Sequence, residues 1–295
     1  MAIPSRSLSS FGEPIERRQF GCHPDLISVL GLGGYHLGKT TTAAAAIRIA
    51  HEAIDAGINF FDNAAEYHDG ESERRMGRAL SGRRGSVFLM TTVFSPSRDA
   101  DGAMRQLEQS LRRLQTDYLD LWHFHECMFD GESPRQRAQD AIVEALDQAK
   151  AQGKVRYVGF TSHKPSEIHV RMLSFGYPFD ACQLPLSAFD APFRSFQACV
   201  LPDLIRRKIA VIGNKSSTGL GFEGQAAEDG LRYAMSLPVC TIVSGIDCLR
   251  TLRQNVRVAQ RFEPMLAAER QNYEESLVAQ MARRPLLALQ RDGRA

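Results

Sequence analysis

Along almost the whole chain, short apolar, β-branched runs alternate with stretches whose apolar residues recur at helical spacing. The runs that read as strands are Ile27–Gly31, Ile58–Asp62, Val87–Thr92, Tyr118–His125, Tyr157–Thr161, Ala181–Pro185, Ile209–Gly213 and Thr241–Ser244. Between them, Thr42–Ala56 places Ile47, Ala50 and Ile54 on one face and stops at Gly57, a residue suited to the left-handed end of a helix. Met104, Leu107, Leu111 and Leu114 form a second stripe, and Ile142, Leu146 and Ala149 a third before Gly153. Leu249, Leu252 and Val256 form another near the end. Strand, helix and strand repeated in this way predict an α/β fold closed into a (β/α)8 TIM barrel, since open doubly wound sheets usually stop sooner. Residues 1–20 and the tail after Met265 fall outside the repeat. The tail reads as a helix from about Leu266 to Arg284, where Pro285 stops it. With no linker in view, residues 1–295 are expected to be one domain.

In a barrel of this kind chemistry sits where strands end and loops begin. The residues there are Asp62, Thr92, His125, Thr161, Gln183, Asn214 and Ser244, with Tyr67 five positions after Asp62. A carboxylate, a phenol, an imidazole and amides at one end of a barrel make a plausible acid–base site. His123 and His125 share a strand face, with His123 the deeper of the two. An H-x-H pair followed by Glu126 also suggests a metal site, but no further ligand series follows on later strands, and none is expected. Gly33 to Thr40 satisfies G-x-x-x-x-G-K-[ST], which would imply a nucleoside triphosphate if it formed a phosphate-cradling loop.

Composition narrows the picture. The chain is 295 residues with 43% hydrophobic and 24% charged residues and a formal net charge of +2. Its basic residues come in pairs such as Arg17-Arg18 and Arg112-Arg113 rather than in a tract, so nucleic acid is not an expected partner. No apolar stretch approaches a membrane span. The six cysteines form no C-x-x-C pair and no secretory signal precedes them, so free thiols in the cytoplasm are expected.

Six segments carry a family resemblance. GINFFDNAAEYHDGESERRMGRAL, with Asp62 and Tyr67, resembles the diagnostic stretch of the aldo-keto reductases. DYLDLWHFHE is similar to the strand bearing their catalytic His and puts His125 there. GKVRYVGFTSH and ACQLPL resemble the segments that hold the nicotinamide carboxamide, giving Thr161, Ser162 and Gln183. VSGIDCLRTLRQN is similar to the segment around the adenosine phosphate and supplies Ser244, Gly245, Arg250, Thr251, Gln254 and Asn255. GLGGYHLGKT resembles the turn after the first strand, where Gly34 and Tyr35 lie along the cofactor. The likeness implies binding of NADP(H), with NAD(H) the other candidate, at residues that also include Asp62, Asn214 and Lys215. It implies reduction of a small carbonyl, or the reverse oxidation of an alcohol, with Asp62, Tyr67, Thr92 and His125 at the catalytic positions. Gly-rich Ser217–Gly224 is expected to cover the pyrophosphate.

Three positions depart from the pattern. Thr92 stands where the family has a Lys that pairs with the Asp and lowers the pKa of the Tyr. Asn214 replaces an aromatic residue that stacks on nicotinamide. Thr251 replaces an Arg that clasps the 2′-phosphate, with Arg250 beside it and Asp247 nearby. Without the Lys, Tyr67 is expected to titrate near the ordinary phenol value of about 10. Two other readings follow from these departures: non-redox acid–base chemistry such as elimination or isomerisation, and a regulatory protein that binds the cofactor without turnover. Substrate identity and oligomeric state are not encoded in any readable motif.

Overall fold

The computed structural model describes residues 13–93, 99–125, 135–162, 166–189, 191, 196–216 and 224–282. Eight parallel strands close into a barrel in the order β10-β3-β4-β5-β6-β7-β8-β9. They are β3 (Leu30–Gly33), β4 (Phe60–Asp62), β5 (Phe88–Val93), β6 (Leu119–His125), β7 (Val155–Thr161), β8 (Ala181–Pro185), β9 (Ala210–Asn214) and β10 (Thr241–Gly245). The (β/α)8 expectation is met.

Because successive strand residues face opposite ways, each strand feeds two cores. Phe60, Phe88, Met90, Leu121, Ala181, Ala210, Ile212 and Val243 fill the barrel interior. Phe61, Leu89, Trp122, Phe124, Val158, Phe160 and Leu184 face outward and pack under the surrounding helices. Those helices include α2 (Ala43–Asp55), α3 (Glu71–Leu80), α4 (Ala100–Leu114), α5 (Arg135–Ala151), α6 (Ser166–Ser174), α7 (Leu201–Arg206), α8 (Gln225–Met235) and α9 (Leu249–Gln260). Local chemistry sets their ends. Thr42 caps α2 by accepting from Ala45 N at 3.1 Å. Gly57, at φ 99°, closes it while Ile58 N reaches back to Ala53 O at 3.0 Å.

The observed elements differ from the sequence expectation at the N-terminal side. Ile27–Gly31 is two strands, not one: β2 (Leu26–Ser28) pairs antiparallel with β1 (Arg17–Gln19), and β3 starts at Leu30. Ser28 and Asn59 cause the break. Ser28 N donates to Asn59 Oδ1 at 2.7 Å and Ser28 Oγ donates to Leu30 O at 2.7 Å. These bonds compete with ladder pairing and turn the chain from hairpin to barrel. The hairpin also draws part of residues 1–20 into the fold: Phe20 stoppers the lower end of the barrel against Phe88 and Tyr157, with centroids 4.8 and 5.2 Å away. On α2 the buried face is Ala46, Ile49, Ala50 and Ala53, with Ile47 and Ile54 at its margin. Those alanines pack into the outer core. A short helix unseen in the sequence, α1 (Gly34–Lys39), follows β3 directly. It occupies the formal phosphate-loop motif, so those residues coil as helix and do not form an open cradle. The tail helix runs Ala267–Ala282; residues 283–295, including Pro285, lie outside the described residues.

Candidate active site

At the C-terminal ends of the strands the interior changes from apolar to polar. Asp62 ends β4, Thr92 is near the end of β5, His123 and His125 lie on β6, Thr161 ends β7, Gln183 is on β8 and Asn214 ends β9. Register joins them across strands: Thr92 pairs with His123, His125 with Thr161, and Thr161 with Gln183. Strand alternation turns all seven inward.

Asp62 is 5% exposed, and its partner is the Gln183 amide, whose Nε2 donates to Oδ1 at 3.4 Å. Among the described residues no cation pairs with it. Burial therefore pushes its carboxyl up to about 7, only partly opposed by Gln183. Thr92, beside it and 3% exposed, supplies no charge.

Tyr67 sits in the turn after β4. Its phenol is held well above the ordinary range, first by burial and then by the negative charges of Asp62 and Glu66 and by Tyr35. This corrects the expectation of a value near 10: burial, which that expectation left out, pushes the phenol upward. Tyr35 meets the Tyr67 ring edge-on at 5.2 Å.

His123 is fully buried, and burial lowers it to about 3, so it stays neutral. The Gln183 amide faces it, yet neither ring nitrogen closes a hydrogen bond of normal geometry. Its ring fills the space left by Gly159, where a Cβ would lie 2.6 Å from Nε2. His125, one pleat higher, is half-buried at the mouth. Burial thus separates the two histidines into different roles. Among the described residues no group of three or more potential metal ligands converges.

The Thr161 Oγ1 and Asn214 Oδ1 atoms are buried without a hydrogen-bond partner. Such groups are costly unless a ligand or water satisfies them, and both lie where a carboxamide is expected. Lys215 follows Asn214 with φ 56° and points to the surface. Ser162 follows β7 and is buried.

A second cluster lies on the β10 side. Ser244 and Gly245 end β10, and Asn255 Nδ2 donates to Ser244 Oγ at 2.9 Å. Gln254 Nε2 donates to Glu228 Oε1 at 3.0 Å, Thr251 contacts Cys248 Sγ at 3.2 Å, and Arg250 is exposed at the start of α9. Gly34 is required between the clusters, because a Cβ there would meet Asp62 O at 2.7 Å.

Sequence reasoning missed the wall beside Tyr35. His68 Nε2 contacts Tyr35 O at 2.9 Å, and Lys39 Nζ lies 4.5 Å over the Tyr35 ring. His36 packs where a Gly245 Cβ would be and is lowered by burial, despite Asp247. The Tyr-x-x-x-Lys spacing on a helix was the available signal. Glu126, Cys127 and most of Ser217–Gly224 lie outside the described residues.

A closed (β/α)8 barrel with an acid–base cluster and unsatisfied polar groups at its C-terminal mouth defines a small-molecule site of the barrel-enzyme type. The model of the aldo/keto reductase family matches residues 29–223, and the chain belongs to that family. It is similar to methylglyoxal reductase YeaE of Escherichia coli (strain K12), 34% identical over 140 residues that cover 46% of each chain. The chain spans about half the length of the curated relatives it matches. In three dimensions it resembles aldo-keto reductase AKR11C1 from Bacillus halodurans in its holo form, with TM-score 0.74, 24% identity, and 88% and 96% of the two chains covered. It also resembles an aldo/keto reductase from Klebsiella pneumoniae in complex with NADP and acetate, with TM-score 0.74, 22% identity and coverage of 88% and 94%. No helix of the described residues is long and apolar enough to cross a membrane.

Proposed function

We propose that the protein is an NAD(P)H-dependent oxidoreductase that reduces a small carbonyl compound. The observation that carries this reading is the pair of buried, unpartnered polar atoms, Thr161 Oγ1 and Asn214 Oδ1, beside Asp62, Tyr67 and His125 at one barrel mouth. With Ser162 and Gln183, Thr161 and Asn214 offer the donors and acceptors that an amide group needs. Lys215 would place a cation by the pyrophosphate. Ser244, Gly245, Arg250, Thr251, Gln254 and Asn255 would hold the adenosine end, while Gly34 and Tyr35 line the middle.

When bound, the nicotinamide supplies the hydride. The chain supplies the rest. Tyr67 donates its phenolic proton to the carbonyl oxygen, His125 orients that oxygen, and Tyr35 with the barrel wall keeps water away. Tyr67 is a weak acid in this setting and, once deprotonated, a high-energy base. Reduction therefore runs more easily than alcohol oxidation. The complex of the Klebsiella protein with NADP supports the cofactor assignment, and the E. coli relative supports the carbonyl class.

Titration calorimetry with NADPH and NADH tests the binding, and Lys215→Ala is expected to weaken it through loss of a charge-assisted contact. Absence of heat with either dinucleotide rejects the assignment. Loss of nicotinamide absorbance with an activated aldehyde then tests turnover. The depressed acidity of Tyr67 favours one other reading, cofactor binding without redox turnover. Product formation without cofactor consumption, or binding with neither, would replace the reductase by it.

A further inference from the structure

The turn that presents Tyr67 is made of backbone that most side chains avoid. His68, Asp69 and Gly70 follow it with φ of 53°, 54° and 78°. Left-handed backbone crowds Cβ against a carbonyl oxygen, so two successive non-glycine residues persist there only where surroundings hold them.

The holding group comes from α4. Arg113 Nη1 donates to Ala65 O at 3.3 Å and to Glu73 Oε2 at 3.2 Å. Its guanidinium also lies flat against Gly70, where a Cβ would be 2.6 Å from Nε and Cζ. The Glu73 side chain is wholly buried, and its Oε1 accepts from Thr91 Oγ1 at 2.7 Å. Thr91 precedes Thr92, whose backbone completes the circuit: Thr92 N donates to Asn63 O, and Ala65 N donates to Thr92 O, both at 3.0 Å. Residues 65–73, with Tyr67 inside, are thus a loop pinned at both ends by one cationic plane. A buried ion pair is a poor way to gain stability alone, because desolvation offsets most of the attraction. What the planar Arg fork adds over an apolar filler is direction.

We propose that Arg113 is a positioning residue for Tyr67: anchored by Glu73 and Thr91, it fixes the left-handed turn and thereby the aim of the phenol into the barrel mouth. This rests on the reading of Tyr67 as proton donor.

The test compares Arg113→Ala, Arg113→Lys and Tyr67→Phe for NADPH-dependent reduction of an activated aldehyde, with dinucleotide affinity and thermal midpoint measured alongside. Misplacing a reacting group by about 1 Å costs up to about a hundredfold, so Arg113→Ala is expected to lower kcat by about tenfold or more while changing dinucleotide Kd less than about threefold. Arg113→Lys keeps a charge beside Glu73 but loses the fork, and its kcat falls between; it carries the test if the alanine variant does not fold. Added methylguanidinium restores part of the Arg113→Ala rate and none of the Tyr67→Phe rate. If Tyr67→Phe is inactive while folded Arg113→Ala or Arg113→Lys keeps wild-type kcat, the positioning role is wrong and the proton-donor reading stands. A loss of rate that only follows the folded fraction, without rescue, also overturns it. Full turnover by Tyr67→Phe overturns both.

Discussion

Asp62 shows how much burial without a cation alongside changes a carboxyl group. In the folded protein its carboxyl holds its proton up to about pH 7, against an ordinary value of 3.8. The unfolded chain sheds that proton near pH 4. Between these values the folded state binds more protons, so stability declines as pH rises from about 4 to 7, and the full penalty is present above 7. Its ceiling is about 4 kcal/mol. Asp62→Asn should therefore raise the midpoint of denaturant unfolding at pH 8 and leave it nearly unchanged at pH 4; equal effects at both values would show that Asp62 is not protonated. Activity should follow the same group. As Asp62 ionises, its charge makes Tyr67 a weaker acid, so kcat for reduction should fall as pH rises through about 7, and Asp62→Asn should flatten that limb. Thr92→Lys acts on the same site from the other side. A cation at that position lowers a neighbouring carboxyl by roughly one to three pKa units. It should move the pH break downward and raise turnover by about tenfold, about 1.4 kcal/mol of transition-state stabilisation. Unchanged rate and unchanged break would show that the family's Lys has no counterpart function here.

At the scale of elements, α9 would set the dinucleotide preference under the proposed cofactor assignment. Its first turn offers Arg250, exposed and free to swing, and Thr251, whose hydroxyl is engaged with Cys248 and cannot form the two-pronged phosphate contact of an Arg. Arg253, one turn on, is committed to Glu52 on α2. Discrimination between NADPH and NADH should therefore stay below about a hundredfold, about 2.7 kcal/mol. Calorimetric affinities that differ by more would identify Arg250 as the phosphate ligand, and Arg250→Ala should then abolish the difference. The strands and helices of this region were legible in sequence because their apolar residues keep a period. The split of β2 from β3 was not, since it depends on Ser28 and Asn59 meeting across 31 positions of chain. Nor was the buried face of α2, where Ile49 packs inward with the alanines and Ile47 and Ile54 line the margin.

Over the whole molecule, the two ends of the barrel divide stability from chemistry. At the lower end Asp120, 5% exposed, accepts from Arg84 Nη2 at 2.8 Å, Arg156 Nη1 at 2.7 Å and Leu89 N at 2.9 Å. Arg156 continues to Asp25 in the hairpin connection at 2.8 Å. Removing the shared carboxylate takes one acceptor from Arg84, which keeps Val87 O and Tyr118 O, and one from Arg156, which keeps Asp25, and it leaves the buried Leu89 amide without its partner. Asp120→Ala should cost about 1–3 kcal/mol of unfolding free energy and leave KM and pH profile of the folded fraction unchanged. A shift in the pH profile would show that the two ends are coupled.

The sequence alone determined the eightfold alternation and the chemical types standing near the strand ends, because the period of hydrophobic residues and the spacing of Asp62, Tyr67 and His125 are properties of the chain itself. Tertiary structure decided what those groups can do. Burial made His123 neutral and raised Asp62 to about 7, and burial together with the charges of Asp62 and Glu66 weakened Tyr67 as an acid. Only packing between elements set Tyr35 against Tyr67 and Arg113 under its turn. Desolvation and close approach depend on every strand that closes around a residue, and no local stretch of sequence carries that information.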